Sequence, residues 1–157
     1  MNSISESDFI AKAKTLNTQV SKLDIVINGN TNNDFIKTQV KKSLYAQNDK
    51  LNIKFIQCAD SKAANLFYYT QIKNLDEKKK KEGLSEGSAN EQNVISKSVS
   101  TFSGRNFDYR IMVTNIGNLA FLKVEDTYLE IVSFNDDIFK QALNAFGLNT
   151  FESSKYD

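Results

Sequence analysis

The sequence predicts one domain, spanning residues 1–157, of the α+β (mixed α/β) class, with one sheet of five or six strands and helices largely on one face. Two observations predict this fold. In the N-terminal half, a strand–helix–strand order with short connections favours a βαβ-like unit with parallel strands. In the C-terminal half, apolar segments with strand alternation follow one another across short turns, which favours an antiparallel meander. A chain of 157 residues is long enough to bury a sizeable core.

The N-terminal half reads as three helices and two strands. Helical spacing predicts a first helix over 6–21, a second around 36–44 and a third that begins at Asp60. A β-branched run predicts a buried strand over 23–28, and strict alternation predicts another over 51–58. The apolar positions that carry these patterns are Phe9, Ala13, Leu16, Val20, Ile36, Val40, Leu44, Leu51, Ile53 and Phe55.

The C-terminal half reads as four strands and a closing helix. The clearest strand is 107–114, in which Phe107, Tyr109, Ile111 and Val113 share one face. Flanking runs predict strands over 94–102, 119–125 and 128–134. The last helix is predicted to open at Asn135 or Asp136 and to end before Gly147, a residue suited to the left-handed position that follows a helix.

A run of four lysines, Lys78–Lys81, lies in the polar stretch NLDEKKKKEGLSEGSANEQ (74–92). The run suits either a basic patch for a partner or a solvated helix end, where cations are stabilised by the helix dipole. Flanking acidic residues and the Gly/Ser/Asn/Glu composition favour the second interpretation. We therefore expect a mobile loop over 76–92, and a frayed tail over 150–157.

Composition excludes several kinds of chemistry. The chain has no histidine and one cysteine, Cys58, so it can form neither a Ser-His-Asp arrangement nor a structural zinc site, and Cys58 is expected to be a small core residue. No nucleotide-binding glycine motif occurs, and the net charge of +1 gives no general attraction for nucleic acid. We expect no cofactor, no metal and no catalytic residue, and hence a non-enzymatic protein-binding or accessory domain. The alternative is an enzyme that uses carboxylates and lysines, for which Glu125, Asp126 and Glu130 are the nearest candidates.

Two places are candidates for binding. The first is the polar face of the 107–114 strand, expected to be exposed and to meet a protein partner, with Arg110 as the central residue; it comprises Asp108, Arg110, Met112 and Thr114. The second is a possible ligand loop where a strand meets a helix; it comprises Asn28, Gly29, Asn30 and Thr31.

The order of elements also resembles a known family. The segments that carry the resemblance are IVINGNT, ANEQNVISKSVSTF and NFDYRIMVT. They are similar to the α/β domain of the LpoB-type activators of penicillin-binding proteins, which is akin to the CsgG and TolB N-terminal domains. Since Ala89–Ser96 lacks the glycines and the aspartate of the family pattern, no functional residue is carried over.

The resemblance implies a bacterial, non-enzymatic cell-envelope module of the lipoprotein type. A cytosolic immunity or inhibitor protein that binds a toxin is the alternative. The sequence contains no apolar run long enough for a transmembrane helix and no leader. The chain as given is therefore expected in the cytoplasm, or in the periplasm or at the outer membrane as a lipoprotein if a leader was removed. The oligomeric state is left open.

Overall fold

A computed structural model describes residues 1–25, 34–84 and 96–148 of the chain. In chain order its elements are α1 (Glu6–Thr15), β1 (Gln19–Lys22), α2 (Asp34–Gln39), β2 (Val40–Gln47), β3 (Leu51–Cys58), α3 (Ser61–Leu84), β4 (Ser96–Ser103), β5 (Phe107–Thr114), β6 (Gly117–Val124), β7 (Thr127–Ser133) and α4 (Asp136–Ala145).

The described strands form one sheet of seven strands, in the order β1-β2-β3-β7-β6-β5-β4. Together with the helices, this sheet gives a fold of the α+β class. All neighbouring strands in it are antiparallel. The C-terminal meander is confirmed, because β4, β5, β6 and β7 follow one another in the chain and each pairs with the next in the sheet. The predicted five or six strands and the predicted parallel βαβ unit are wrong, since β2 and β3 form an antiparallel hairpin.

Both faces of the sheet bury apolar side chains. One face packs against α1 and α4 in a core whose largest members include Phe9, Phe55 and Phe139. The other face packs against α3 through residues such as Tyr68 and Phe121. The expectation that the helices lie largely on one face is therefore wrong: the sheet is enclosed from two sides.

The first helix begins as its sequence predicts and ends earlier. Ser5 and Asp8 form a reciprocal capping box, which supplies partners for the free N–H groups of the first turn. Asn17 adopts a φ of +58° just after the C-cap, a conformation that asparagine tolerates better than most residues. The chain then reverses into β1, so the part of the predicted helix after Leu16 is wrong.

The second half of the predicted helix 36–44 is also wrong. Helix α2 ends at Gln39, and β2 begins at Val40 because this segment pairs along the whole length of β3. A tight turn joins the two strands, in which the backbone N–H of Lys50 donates to Asn48 Oδ1 at 2.9 Å. The strand predicted over 23–28 is displaced as well: β1 precedes it, and residues 26–28 lie outside the described ranges.

Helix α3 is longer than predicted. Its backbone remains helical through Leu84, so the lysine run lies within the helix, whereas the sequence predicted a loop from residue 76. The mobility of 76–92 stays a prediction. Residues 85–92, like the predicted tail 150–157, lie outside the described ranges.

The C-terminal elements follow their predictions closely. Strand β5 has the predicted bounds, and α4 begins at Asp136. Asn135 caps α4 by accepting a hydrogen bond from the N–H of Ile138 at 3.0 Å. Gly147 has a φ of +79°, which confirms its place after the end of this helix.

We expect Phe9→Ala to lower the free energy of unfolding by about 3–5 kcal/mol, as for other aromatic truncations in cores. Phe9 is fully buried, and its ring centroid lies 4.8 Å from that of Phe55. Phe134→Ser is the matched control, since Phe134 is 76% exposed and its loss should cost no more than about 0.5 kcal/mol. Chemical denaturation of the two variants checks this, and equal losses would contradict the assignment of Phe9 to the core.

Candidate functional site

The face of the sheet under α3 carries charged and hydroxyl side chains among its apolar ones. Side chains alternate across a strand, and the strand registers place two rows of residues on this face. From β3 to β4, one row contains Lys54, Glu130, Phe121, Arg110 and Thr101, and the next contains Ile56, Tyr128, Lys123, Asp108 and Ser103. Polar groups on this face therefore lie on both sides of the helix that covers it.

A polar cluster joins α3 to β5 and β6. Lys123 Nζ lies 3.0 Å from Asp108 Oδ2, and both side chains are more than four-fifths buried. The hydroxyl of Tyr69 donates to the same carboxylate oxygen at 3.2 Å, and Lys123 also donates to Asn65. The lysine nitrogen is 5.4 Å from the centroid of the Tyr69 ring. The cluster thus holds Tyr69 in place although that side chain is 54% exposed.

The charge of Asp108 is stabilised by its neighbours. Partial burial acts to raise the pKa of Asp108, but hydrogen bonds from Ser103, Lys123 and Tyr69, together with the positive charge of Lys123, outweigh it. The pKa of Asp108 is therefore lowered below its ordinary value, and the ion pair persists at a pH at which an unperturbed aspartate would begin to take up a proton.

Of the four predicted partner-binding residues of β5, Met112 and Thr114 are buried, and Asp108 and Arg110 are partly exposed. Met112 is 1% exposed and Thr114 is 6% exposed. Thr114 has a structural role, because its hydroxyl donates to the carbonyl of Gly117 at 2.8 Å in the β5–β6 turn. Arg110 is half-buried and lies near Tyr68, whose pKa is raised by burial and lowered in part by the arginine charge. The expectation that this face is exposed is therefore wrong at Met112 and Thr114, and the role of Asp108 and Arg110 in partner binding stays a prediction.

The open part of this face lies one strand further out, on β4. Among the described elements, helix α3 packs chiefly on β3, β6 and β7, and β4 lies outside this group of strands. Together with Tyr69 from the flank of α3, the outward side chains of β4 form what we call the α3–β4 surface: Tyr69, Lys97, Val99, Thr101 and Ser103, all exposed. The sequence predicted this strand, over 94–102, but contains no signal that places it at the edge of the sheet.

A cavity of about 370 Å³ lies on the opposite flank of α3, against the β3–β7 pair. Lys54, Tyr128 and Glu130 line it from the strands, and Phe67 lines it from the helix. The hydroxyl of Tyr128 donates to Glu130 Oε2 at 2.9 Å. A smaller cavity of about 250 Å³ adjoins the polar cluster and contains two cationic and two anionic side chains, those of Arg105, Lys123, Asp108 and Glu125.

The three predicted carboxylates do not meet in one place. Glu125, with a φ of +53°, and Asp126 form the β6–β7 turn. Glu125 accepts a hydrogen bond from Asn106 at 3.0 Å, whereas Glu130 lines the larger cavity on the other flank of α3. In the described ranges no group of three or more histidine, cysteine or acidic residues is arranged to hold a metal ion. The predicted ligand loop, Asn28 to Thr31, lies outside those ranges.

Cys58 is a fully buried residue at the end of β3. Burial, and after it the negative charges of Asp126 and Asp60, raise the pKa of the thiol to about 12. The thiolate form needed for nucleophilic chemistry is therefore suppressed at neutral pH, as expected for a small core residue.

Comparisons with known proteins assign no family to the chain. No protein-family model matches the chain, and no curated protein matches it either. The crystal structure of a GTP binding regulator from Thermotoga maritima covers 90% of this chain and 87% of its own, with a TM-score of 0.45 and 10% identity. A likeness that distant carries no argument about this chain. Within the part of the chain that the structure describes, no helix has the length and apolar character needed to cross a membrane.

We expect Asp108→Asn to lower the free energy of unfolding at pH 7 by about 1–3 kcal/mol, because Lys123 would lose a charged partner in a mostly buried site. The folded-state pKa of Asp108 lies below its ordinary value of 3.8, so the stabilisation is complete above that pH and is lost as the pH falls through the folded-state value. The difference between wild type and variant should therefore shrink below about pH 4. Urea titrations across pH check this, with the exposed Asp137→Asn as control; a difference that grows with acidity would contradict it.

We expect the thiol of Cys58 to resist alkylation in the folded protein at pH 8, since it is buried and protonated. Iodoacetamide labelling followed by mass spectrometry measures this. Complete labelling in denaturant provides the control, and rapid labelling of the folded chain would contradict the assignment.

Proposed function

We propose that the protein is a non-enzymatic accessory domain that binds another protein at the α3–β4 surface. The observation that carries the proposal is the exposed edge strand β4. It is the last strand in the order of the described sheet and is eight residues long. An edge strand presents backbone N–H and C=O groups that an extended segment of a partner can pair with.

The two edges of the sheet differ in how well they are protected. At the opposite edge, β1 has four residues, too few for extensive pairing. Between Ser96 and Ser103, Lys97 is the one charged residue, and the irregularity in pairing is confined to the Ser96/Ser98 end. From Val99 onwards, β4 therefore offers a regular edge with little of the charge that discourages pairing.

The side chains beside this edge suit a protein partner. Val99 is 46% exposed and Tyr69 is 54% exposed, and tyrosine is enriched at interface hot spots. The polar cluster holds Tyr69 in position, so that binding would require little further ordering of this side chain. Lys97 is the single lysine among the five residues of the α3–β4 surface, which favours a protein over nucleic acid, since phosphate binding depends on several cationic contacts.

The enzyme alternative requires a carboxyl group with a raised pKa close to a second carboxylate. Asp108 and Glu125 share the smaller cavity, but the pKa of Asp108 is lowered. This direction suits an ion pair and not a general acid, and so it favours the accessory function.

We expect Val99→Lys combined with Tyr69→Ala to weaken binding of the natural partner at least about tenfold, because the change adds a charge at the edge and removes an aromatic contact. Partners captured from the native host by the immobilised protein would be purified, and their affinities measured by calorimetry. Ser21→Lys is the matched control: it places the same charge on the same face of the opposite edge strand, β1.

Hydrogen exchange supplies a second test of the same surface. If a partner segment pairs with β4, backbone amides between 99 and 103 should exchange more slowly in the complex, because they gain hydrogen bonds. Unchanged exchange in β4, or equal affinity of the double variant and wild type, would contradict the proposed surface. The identity of the partner distinguishes two forms of the function: a cell-wall synthase for an envelope module, and a toxin for a cytosolic immunity protein.

A further inference from the structure

We propose that the cavity between α3 and the β3–β7 pair binds a small zwitterion of the α-amino-acid class with an apolar side chain. The cavity lies on the flank of α3 opposite the α3–β4 surface and is a separate site. Its volume of about 370 Å³ lies in the usual range for small-molecule sites, about 300–1,000 Å³. Such sites combine an apolar lining with a few polar groups that fix the orientation of the ligand, and this cavity has both.

The charged groups of the cavity have opposite signs and lie side by side. Lys54 on β3 is the direct register partner of Glu130 on β7, a position in which opposite charges commonly pair. Within the described ranges Lys54 makes no ion pair with Glu130, whose Oε2 accepts from Tyr128 instead. The ammonium of Lys54 is thus available to a ligand carboxylate, and Glu130 Oε1, with Asp24 at the rim, is available to a ligand ammonium.

The remaining lining is apolar and aromatic. Ile56 is 4% exposed at the base of the cavity. The ring of Phe67 stacks on that of Tyr128, with 5.9 Å between centroids, and Leu23 and Ile25 line the cavity from the segment after β1. An apolar side chain placed among these groups would gain from leaving water.

The pairing of charges favours a zwitterion over a ligand with a single charge. A ligand with only a negative charge would bind Lys54 but would displace water from the free carboxylate oxygen of Glu130 without replacing it. A ligand with only a positive charge would bind Glu130 but would displace water from the ammonium of Lys54. Each such mismatch costs binding free energy, since a polar group that loses water without gaining a partner is penalised. A ligand that carries both charges at the spacing of an α-amino acid avoids both costs.

Three ligands with the same phenyl group test this in the wild-type protein: L-phenylalanine with both charges, 3-phenylpropanoate with the carboxylate alone and 2-phenylethylamine with the ammonium alone. We expect saturable binding of phenylalanine by calorimetry, with each single-charge analogue at least about tenfold weaker, a difference that one charged contact can supply. Absence of saturable phenylalanine binding at about 10 mM, a concentration well above a millimolar dissociation constant, would overturn the proposal. Equal binding of either analogue would also overturn it.

Two substitutions test the assigned contacts. Lys54→Met and Glu130→Gln should each weaken phenylalanine binding about tenfold, whereas Lys50→Met, on the exposed β2–β3 turn, should leave it unchanged. Unchanged affinity in Lys54→Met and Glu130→Gln would overturn the proposal, and far-ultraviolet circular dichroism confirms that each variant is folded.

Amide chemical shifts locate the site independently of any variant. On titration with phenylalanine, shifts in wild type should concentrate around 23–25, Phe67 and Gln71, which line the cavity. Shifts concentrated on β4 would overturn the proposal. Because the Val99 and Tyr69 substitutions lie on the other flank of α3, they should not change phenylalanine binding, so that failure of one proposal is distinguishable from failure of the other.

Discussion

The pairing of β3 with β7 is the interaction on which the rest of the structure depends. It aligns Leu51–Gln57 with Thr127–Ser133 and so joins the N-terminal hairpin to the C-terminal meander. Side-chain and backbone hydrogen bonds fix both ends: Ser133 Oγ donates to the carbonyl of Lys50, and the N–H of Cys58 donates to the carbonyl of Asp126, each at 2.7 Å. Since β3 thereby becomes an inner strand while the chain re-enters the sheet at the far edge as β4, the connection must cross one face. Helix α3 forms the described part of that connection.

The crossing by a single helix explains why both candidate sites lie beside α3. A helix is about 10 Å wide and strands are about 4.8 Å apart, so one helix covers roughly two or three strands. Helix α3 packs on β3, β7 and β6, and the sheet extends beyond it on both sides. On one flank of α3 lies the cavity lined by Lys54 and Glu130, and on the other flank lies the α3–β4 surface. The opposite face has two helices, α1 and α4, and its core is closed and apolar.

The sequence predicts local elements well where one periodicity dominates, as in β3, β5 and α4. It fails at β2, where Val40 and Leu44 are spaced as in a helix. A bulge between Val40 and Lys42 changes the alternation of the strand, so that Val40 packs on the α3 side and Leu44 on the opposite side. Pairing with β3 overrides the local preference. The order of strands in the sheet places β4 at the edge and makes Lys54 the register partner of Glu130. No local sequence pattern specifies that order.

The polar residues of the α3 face are a consequence of the same geometry. If the rows beyond α3 were wholly apolar, the sheet would expose broad hydrophobic patches on both flanks of the helix. Instead, apolar residues such as Phe121 and Met112 lie beneath α3, and charged or hydroxyl residues occupy its margins. At the β5 margin, Lys123 and Asp108 satisfy each other and fix Tyr69. Lys54 and Glu130 are neighbours across β3 and β7 without an ion pair. This difference between the two pairs underlies the proposal of an interface beside the first and of a ligand site beside the second.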